Sequence, residues 1–420
     1  MLKRVSTDEI ELGMFIHKLE GSWFSHPFWK SKFVLDDQET LAILRDSDVR
    51  GVIIDVSRGI DVGAVTVASP VAKARALPTP QLRVQPVPQR NGFARPPAAL
   101  PIAREFGRAK RAAGDAMRVV SKAFIEVRLG KTIRPHDVEP VLDAIYASVQ
   151  RNLYAFNGLL RCQTSNEKIY QHSLAVSALM IALARHMKFA AIDIRDAGMA
   201  GLLMDIGIGQ LPVDIASVGG DLSQLRPDLR DQHVLLGYSF LKAAGDIPES
   251  VLRVILHHHE RLDGSGYPQG LSGLAIDQLS RMAAICDAYD MLASSGESGP
   301  PVDPAEAIKI LREQPEKFDA QILERLVETI GVYPIGAFVR LRSRRLAMVV
   351  DEDPADPALP TVRTFWSLDL GKRLKGETIA LAQCYGEDAI EGIADLRGLD
   401  LPAAEKLRNS LLTSACNEVN

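Results

Sequence analysis

The stretch His257-His258-His259-Glu260-Arg261-Leu262-Asp263-Gly264-Ser265-Gly266-Tyr267-Pro268 decides how the rest of the chain is read. Its imidazoles close a segment, 248–259, whose apolar residues recur at helical spacing, and the glycines that follow end that helix. Adjacent residues on a helix point about 100° apart, so two neighbouring imidazoles reach one centre only where the helix stops. Imidazole nitrogen suits iron, manganese, nickel and zinc. Three consecutive histidines followed by a glycine-rich turn therefore read as one wall of a metal site. His257 is the member expected outside the ligand set.

Working upstream, further ligand types fall on separate predicted helices. His172 stands in the otherwise apolar run Ile169 to Ala184, where a lone histidine is ordinarily a satisfied core residue. Asp205 follows Gly201-Leu202-Leu203-Met204, and His233 precedes Leu235-Leu236-Gly237. Downstream, Asp287 ends the run Ala283-Ala284-Ile285-Cys286. A carboxylate inside an apolar run is costly unless it is paired or metal-bound. Taken singly these are weak signals. Together, histidines and aspartates spread over several helices form the ligand set of a two-metal centre inside a helical bundle.

The surrounding pattern supports a mainly α fold. Between 104 and 330 apolar residues recur every three or four positions, with helices expected at 167–187, 192–205, 228–244, 248–259, 277–294, 303–313 and 317–330. Residues 104–332 are read as this helical domain. Residues 1–66 read as a small N-terminal α+β domain, with strands at Lys32–Leu35 and Gly51–Val56, a helix near Gln38–Asp46, and an aromatic cluster of Trp23, Phe24, Phe28, Trp29 and Phe33 as its core. Residues 67–103 carry Pro70, Pro78, Pro80, Pro86, Pro88, Pro96, Pro97 and Pro101, with Lys73, Arg75, Arg83, Arg90 and Arg95 and no acid. That composition reads as a semi-extended basic linker. Residues 333–420 read as a small β-containing appendage with strands at 337–341, 345–350 and 361–368 and a helix at 402–412.

Composition narrows the classes. With 420 residues, 46% hydrophobic and 24% charged, the chain is not wholly disordered. A net charge of -4 gives no global case for nucleic acid or membrane as a partner. Cys162, Cys286, Cys384 and Cys416 are scattered without a CxxC pair, which argues against a zinc ribbon, a dithiol centre or a disulfide scaffold and for reduced thiols in the cytoplasm. The opening MLKRVSTDEIELGM is charged where a secretory leader would be apolar. The longest uncharged run falls short of the ~20 residues a spanning helix needs.

These residues together resemble the HD-GYP family, a branch of the HD phosphohydrolases. The HHExxDGxGYP signature stands complete as His258-His259-Glu260, Asp263-Gly264 and Gly266-Tyr267-Pro268. Flanking pieces agree in order: Tyr170 and His172-Ser173, Leu203 to Gly207, His233 with Gly237, and Arg281-Met282 leading to Asp287 and Asp290. The resemblance implies an HD-type helical bundle and metal-dependent hydrolysis of cyclic di-GMP, with one or two divalent ions per chain, iron or manganese. It implies that Asp205 bridges the metals at the catalytic centre, that His233, His258 and His259 complete one metal site, and that His172 and Asp287 hold the other. Gly264, Gly266, Tyr267, Pro268 and Arg281 are then the substrate-facing positions. On the residues alone Arg281 fits equally an ion pair with Asp277 or Asp290, and Tyr267 fits a purely structural place in its turn.

The chain departs from the family at its eponymous pair. The family segment LLHDIGK is here Leu202-Leu203-Met204-Asp205-Ile206-Gly207-Ile208, so Met204 replaces a histidine ligand and Ile208 replaces a lysine. A thioether is a poor ligand for hard metals. Lys168 occupies the place where some members carry an additional acid, which removes a third metal. Three readings follow: a cyclic di-GMP phosphodiesterase with a variant site, a catalytically impaired receptor for the nucleotide, or an interaction module that signals through protein partners or a homodimer built on the helix Glu105–Leu129.

Overall fold

The computed structural model describes residues 2–20, 33–35, 38–45, 51–60, 102–152, 155–162, 168–213, 225–295, 301–353, 356, 358–384 and 386–418. The chain divides into two compact units, Met1–Ala98 and Ala99–Asn420. The expected basic linker, up to residue 101, lies outside the described residues, as do Trp23, Phe24, Phe28 and Trp29.

In the first unit, strands β1 (Leu2–Val5), β2 (Phe15–Glu20), β3 (Phe33–Val34) and β4 (Gly51–Asp55) form an antiparallel sheet in the order β1-β4-β2-β3, with helix α1 (Gln38–Arg45) between β3 and β4 in sequence. Its described core is aliphatic: Val5, Ile10, Met14, Ile16, Leu35, Leu41, Leu44, Val52 and Ile54. The sequence reading missed β1 and β2, whose residues mix charged and apolar types without a clean alternation.

The second unit carries helices α2 (Ile102–Arg128), α3 (Pro135–Arg151), α4 (Ala155–Cys162), α5 (Lys168–His186), α6 (Ala191–Leu203), α7 (Pro227–Arg230), α8 (Gln232–Ala244), α9 (Glu249–His257), α10 (Gln278–Asp290), α11 (Pro304–Arg312) and α12 (Ala320–Ile330). Helix α5 is the axis. Every residue from His172 to Ala184 is buried, and the helix packs against α2, α3, α4, α6, α10 and α12. A helix apolar on all sides has no solvent face to present, which places it at the centre. Among the described residues no helix is long and apolar enough to cross a membrane.

Several ends differ from expectation for local reasons. The expected helix 192–205 stops at Leu203, and Ile206–Gln210 form a 3-10 turn, so Asp205 sits at a break rather than in a helix. Helix α3 ends where the Asn152 side chain accepts the Ala155 N–H at 2.7 Å, starting α4. Asp277, Asp303 and Asp319 cap α10, α11 and α12 through side-chain oxygens that accept first-turn N–H groups. The apolar face of α2 turns inward. Glu105, fully buried, receives Arg151 at 2.7 and 2.8 Å and is no surface contact.

Strands β5 (Phe338–Leu341), β6 (Arg345–Asp351), β7 (Thr361–Ser367), β8 (Lys372–Arg373), β9 (Thr378–Ala380) and β10 (Ile390–Ile393) form an antiparallel sheet, β10-β5-β6-β7-β8, with β9 also on β7. Helix α13 (Ala404–Glu418) packs on α2, α4, β6 and β7. The sheet is larger than the three strands expected, because β8, β9 and β10 are too short to show a period.

Candidate metal centre

Close backbone approach builds the centre. A Cβ on Gly207 would fall 2.0 Å from the His233 carbonyl oxygen and 2.4 Å from the Gly237 nitrogen. Glycine at 207 therefore lets the 3-10 turn after α6 lie directly on α8, which delivers Asp205 to His233. The three α9-end positions divide as expected. His258 is fully buried, the side chain of His259 is 19% exposed, and His257 stays out of the cluster.

Two groups of ligand atoms result, each within 4.8 Å: Asp205 with His233, His258 and His259, and His172 with Asp205 and Asp287. Asp205 belongs to both. Its Oδ1 lies 3.3 Å from His233 Nε2 and 3.7 Å from His258 Nε2, while its Oδ2 lies 3.5 Å from His172 Nε2. Asp287 Oδ1 lies 3.0 Å from His172 Nε2, and its Oδ2 lies 3.7 Å from His259 Nδ1. The fold thus brings together all six residues read from the sequence as ligands.

The rings are oriented from behind. His233 Nδ1 donates to the Arg230 carbonyl at 2.6 Å, and His258 Nδ1 donates to the Ile255 carbonyl at 3.0 Å. A carbonyl only accepts, so Nδ1 carries a proton in each ring and Nε2 is the nitrogen turned toward Asp205. The two Nε2 atoms stand 3.4 Å apart. Buried imidazole nitrogens converging on a shared carboxylate are the donor set of a cation site, and the residues fit one.

Electrostatics agree. Burial works against the Asp205 carboxylate, but hydrogen bonds from His233 and His258 hold it well below the usual range. Burial also opposes charge on His172, yet Asp287 and Asp290 outweigh it and raise that imidazole well above its ordinary value. His259 moves the other way, lowered by burial and then by His258 and His233, and so stays neutral.

The turn that follows is clamped rather than loose. Glu260 is 1% exposed, and its two carboxylate oxygens accept the Gln269 N–H at 2.8 Å and the Leu271 N–H at 2.9 Å. Asp263 accepts the Ser265 N–H at 2.9 Å and its hydroxyl at 2.6 Å. Gly264 has φ +78°, and a Cβ on Gly266 would meet the Glu260 Cα at 2.4 Å. Tyr267, followed by cis Pro268, stacks on His259 with centroids 4.7 Å apart and planes at 24°.

Arg281 takes neither ion-pair partner expected of it. Its guanidinium bonds Asp319 Oδ2 at 2.5 Å, because Asp277 is occupied as the α10 cap and Asp290 receives His172. Met204 and Ile208, the two departures from the family pattern, are buried apolar side chains at 0% and 1% exposure. Sequence reasoning placed Glu260 in the signature without a role and offered Asp290 only as an ion-pair partner of Arg281. Asp290 had a signal: it lies three residues after Asp287, on the same face of α10.

The family described as "HD domain" matches residues 161–322, and "Domain of unknown function (DUF3391)" matches residues 2–138. Over 393 residues the chain is 37% identical to "Cyclic di-GMP phosphodiesterase PA4108" of Pseudomonas aeruginosa, covering 93% of this chain and 92% of that protein. The chain belongs to the HD-GYP family. Shorter similarities extend to "Cyclic di-GMP phosphodiesterase PdeB" of Borreliella burgdorferi, 25% identical over 197 residues, 46% of this chain and 50% of that one. Another is "3'3'-cGAMP-specific phosphodiesterase 1" of Vibrio cholerae, 29% identical over 171 residues, 39% of this chain and 38% of that one.

Proposed function

We propose that this HD-GYP chain is a metal-dependent phosphodiesterase that hydrolyses cyclic di-GMP. The observation that carries the reading is the sharing of Asp205 between two ligand groups, with His233 and His258 turned toward it by a bond on the far nitrogen. His233, His258, His259 and Asp205 would hold one divalent ion, and His172, Asp205 and Asp287 a second, iron or manganese being suited to such mixed nitrogen and oxygen donors. Ions held there supply Lewis-acid stabilisation of a phosphoryl oxygen and lower the pKa of water.

The chain's own residues do the rest. Asp205 spaces the two groups. Tyr267 covers the face of His259 and, half-buried, is the ring placed to meet a guanine base. Gly264, Gly266 and Pro268 shape the turn that carries it. Arg281, paired with Asp319 at 2.5 Å, is the remaining position assigned to the substrate side.

A second reading, a receptor that binds cyclic di-GMP and signals through a protein partner, is favoured by Met204 and Ile208. These leave the His172 group with three ligands among the described residues and an isoleucine where the family carries a lysine. Elemental analysis of the purified full chain separates the two readings. About two ions per chain supports the enzyme. One ion or none, with saturable nucleotide binding and no turnover, supports the receptor.

A further inference from the structure

Asp290 lies outside both ligand groups but is not idle. It is 2% exposed on α10. Its Oδ2 accepts from His172 Nδ1 at 2.8 Å and its Oδ1 accepts from the Ser294 hydroxyl at 3.1 Å, so the carboxylate is fixed at both oxygens. A carboxylate accepts only, which puts a proton on Nδ1, while Nε2, bonded to Asp287 at 3.0 Å and 3.5 Å from Asp205, is the nitrogen that would exchange its proton for an ion. His233 and His258 are oriented by neutral backbone carbonyls instead. The carboxylate-backed imidazole thus stands in the group that has three ligands, next to the position Met204 has taken from a histidine.

We infer that Asp290 is a positioning residue for the metal at His172, fixing the ring's tautomer and direction and raising its donor strength where the site is poorest in ligands. An ion's hold on an imidazole depends on the group behind the ring, and losing such a partner typically weakens metal affinity 10- to 100-fold. The inference rests on the two-group reading above, and its test separates the two.

The metal-free full chain is titrated with manganese alone, in its native form and as Asp290→Ala and Asp290→Asn. The expected result is that Asp290→Ala weakens the weaker manganese equivalent roughly 10- to 100-fold and spares the tighter one. Asp290→Asn restores much of the affinity, since its amide oxygen still accepts from Nδ1. Unchanged binding of the weaker equivalent in a folded Asp290→Ala protein overturns the role. If the native chain takes up a single equivalent, the two-group reading fails, and 15N-histidine spectra of the metal-free protein decide for Asp290. Loss of the hydrogen-bonded His172 Nδ1–H signal in Asp290→Ala supports the positioning role, and its persistence overturns it.

Discussion

Gly207 and His233 touch through their backbones: a Cβ at 207 would lie 2.0 Å from the His233 carbonyl oxygen. The contact sets the distance between the 3-10 turn bearing Asp205 and the helix bearing His233, so metal binding and stability meet at one glycine. Gly207→Ala is expected to push the two elements apart, costing about 1–3 kcal/mol of stability by overpacking. The variant should also weaken metal uptake at the group that contains His233. Thermal denaturation with and without manganese measures both effects.

The clamp on the GYP turn makes a second expectation. Glu260→Ala removes the charged acceptor of the part-buried Gln269 and Leu271 N–H groups, at about 1–3 kcal/mol in all. Glu260→Gln keeps one amide oxygen and should lose less. Limited proteolysis of the 262–272 turn is expected to accelerate in the order native, Gln, Ala. Equal protection in all three would show that the turn is held by other contacts.

The departures from the family are separable. Met204→His adds a nitrogen donor to the His172, Asp205 and Asp287 group and is expected to raise manganese uptake toward a further equivalent and turnover by at least tenfold, each ~1.4 kcal/mol of barrier being a factor of ten. Ile208→Lys alone places an ammonium where the native side chain is 1% exposed and should lower the melting temperature. Steady-state kinetics on the single and double variants distinguish a lost ligand from a wider drift of the site.

Away from the site, Glu352 gives a pH signature. Both of its carboxylate oxygens are buried with no partner among the described residues, and burial, with Asp351 adding, pushes its pKa up to about 9 from 4.5. The folded value is above the unfolded one, so the neutral carboxyl's stability is fully present below pH 4.5 and is lost as pH rises toward 9. Glu352→Gln, neutral at every pH, is expected to stabilise the chain by on the order of 3 kcal/mol at pH 7 and by almost nothing at pH 4. Melting curves at the two pH values read this directly.

What the sequence made legible was chemistry carried by residue type at a fixed place in a pattern. His258-His259 before a glycine turn, and Asp205 and Asp287 inside apolar runs, announce themselves because each would be costly without a partner. The central helix was legible for the same reason, as a run with no solvent face. Less visible were relations set by three-dimensional approach. The pairing of Gly207 with α8, the choice of Asp319 by Arg281, and the seat of Asp290 behind His172 join residues 26 to 118 positions apart. No local period encodes such contacts. The short strands β8 and β10 escaped because two to four residues cannot establish alternation.

The central claim is that Asp205 sits at the heart of a working phosphodiesterase centre. It is tested most directly by measuring hydrolysis of cyclic di-GMP by the full chain supplied with manganese or ferrous iron, beside the Asp205→Ala variant. The account expects metal-dependent product from the native chain and none above background from the variant. Absence of product from the metal-loaded native chain, or equal product from Asp205→Ala, would contradict it.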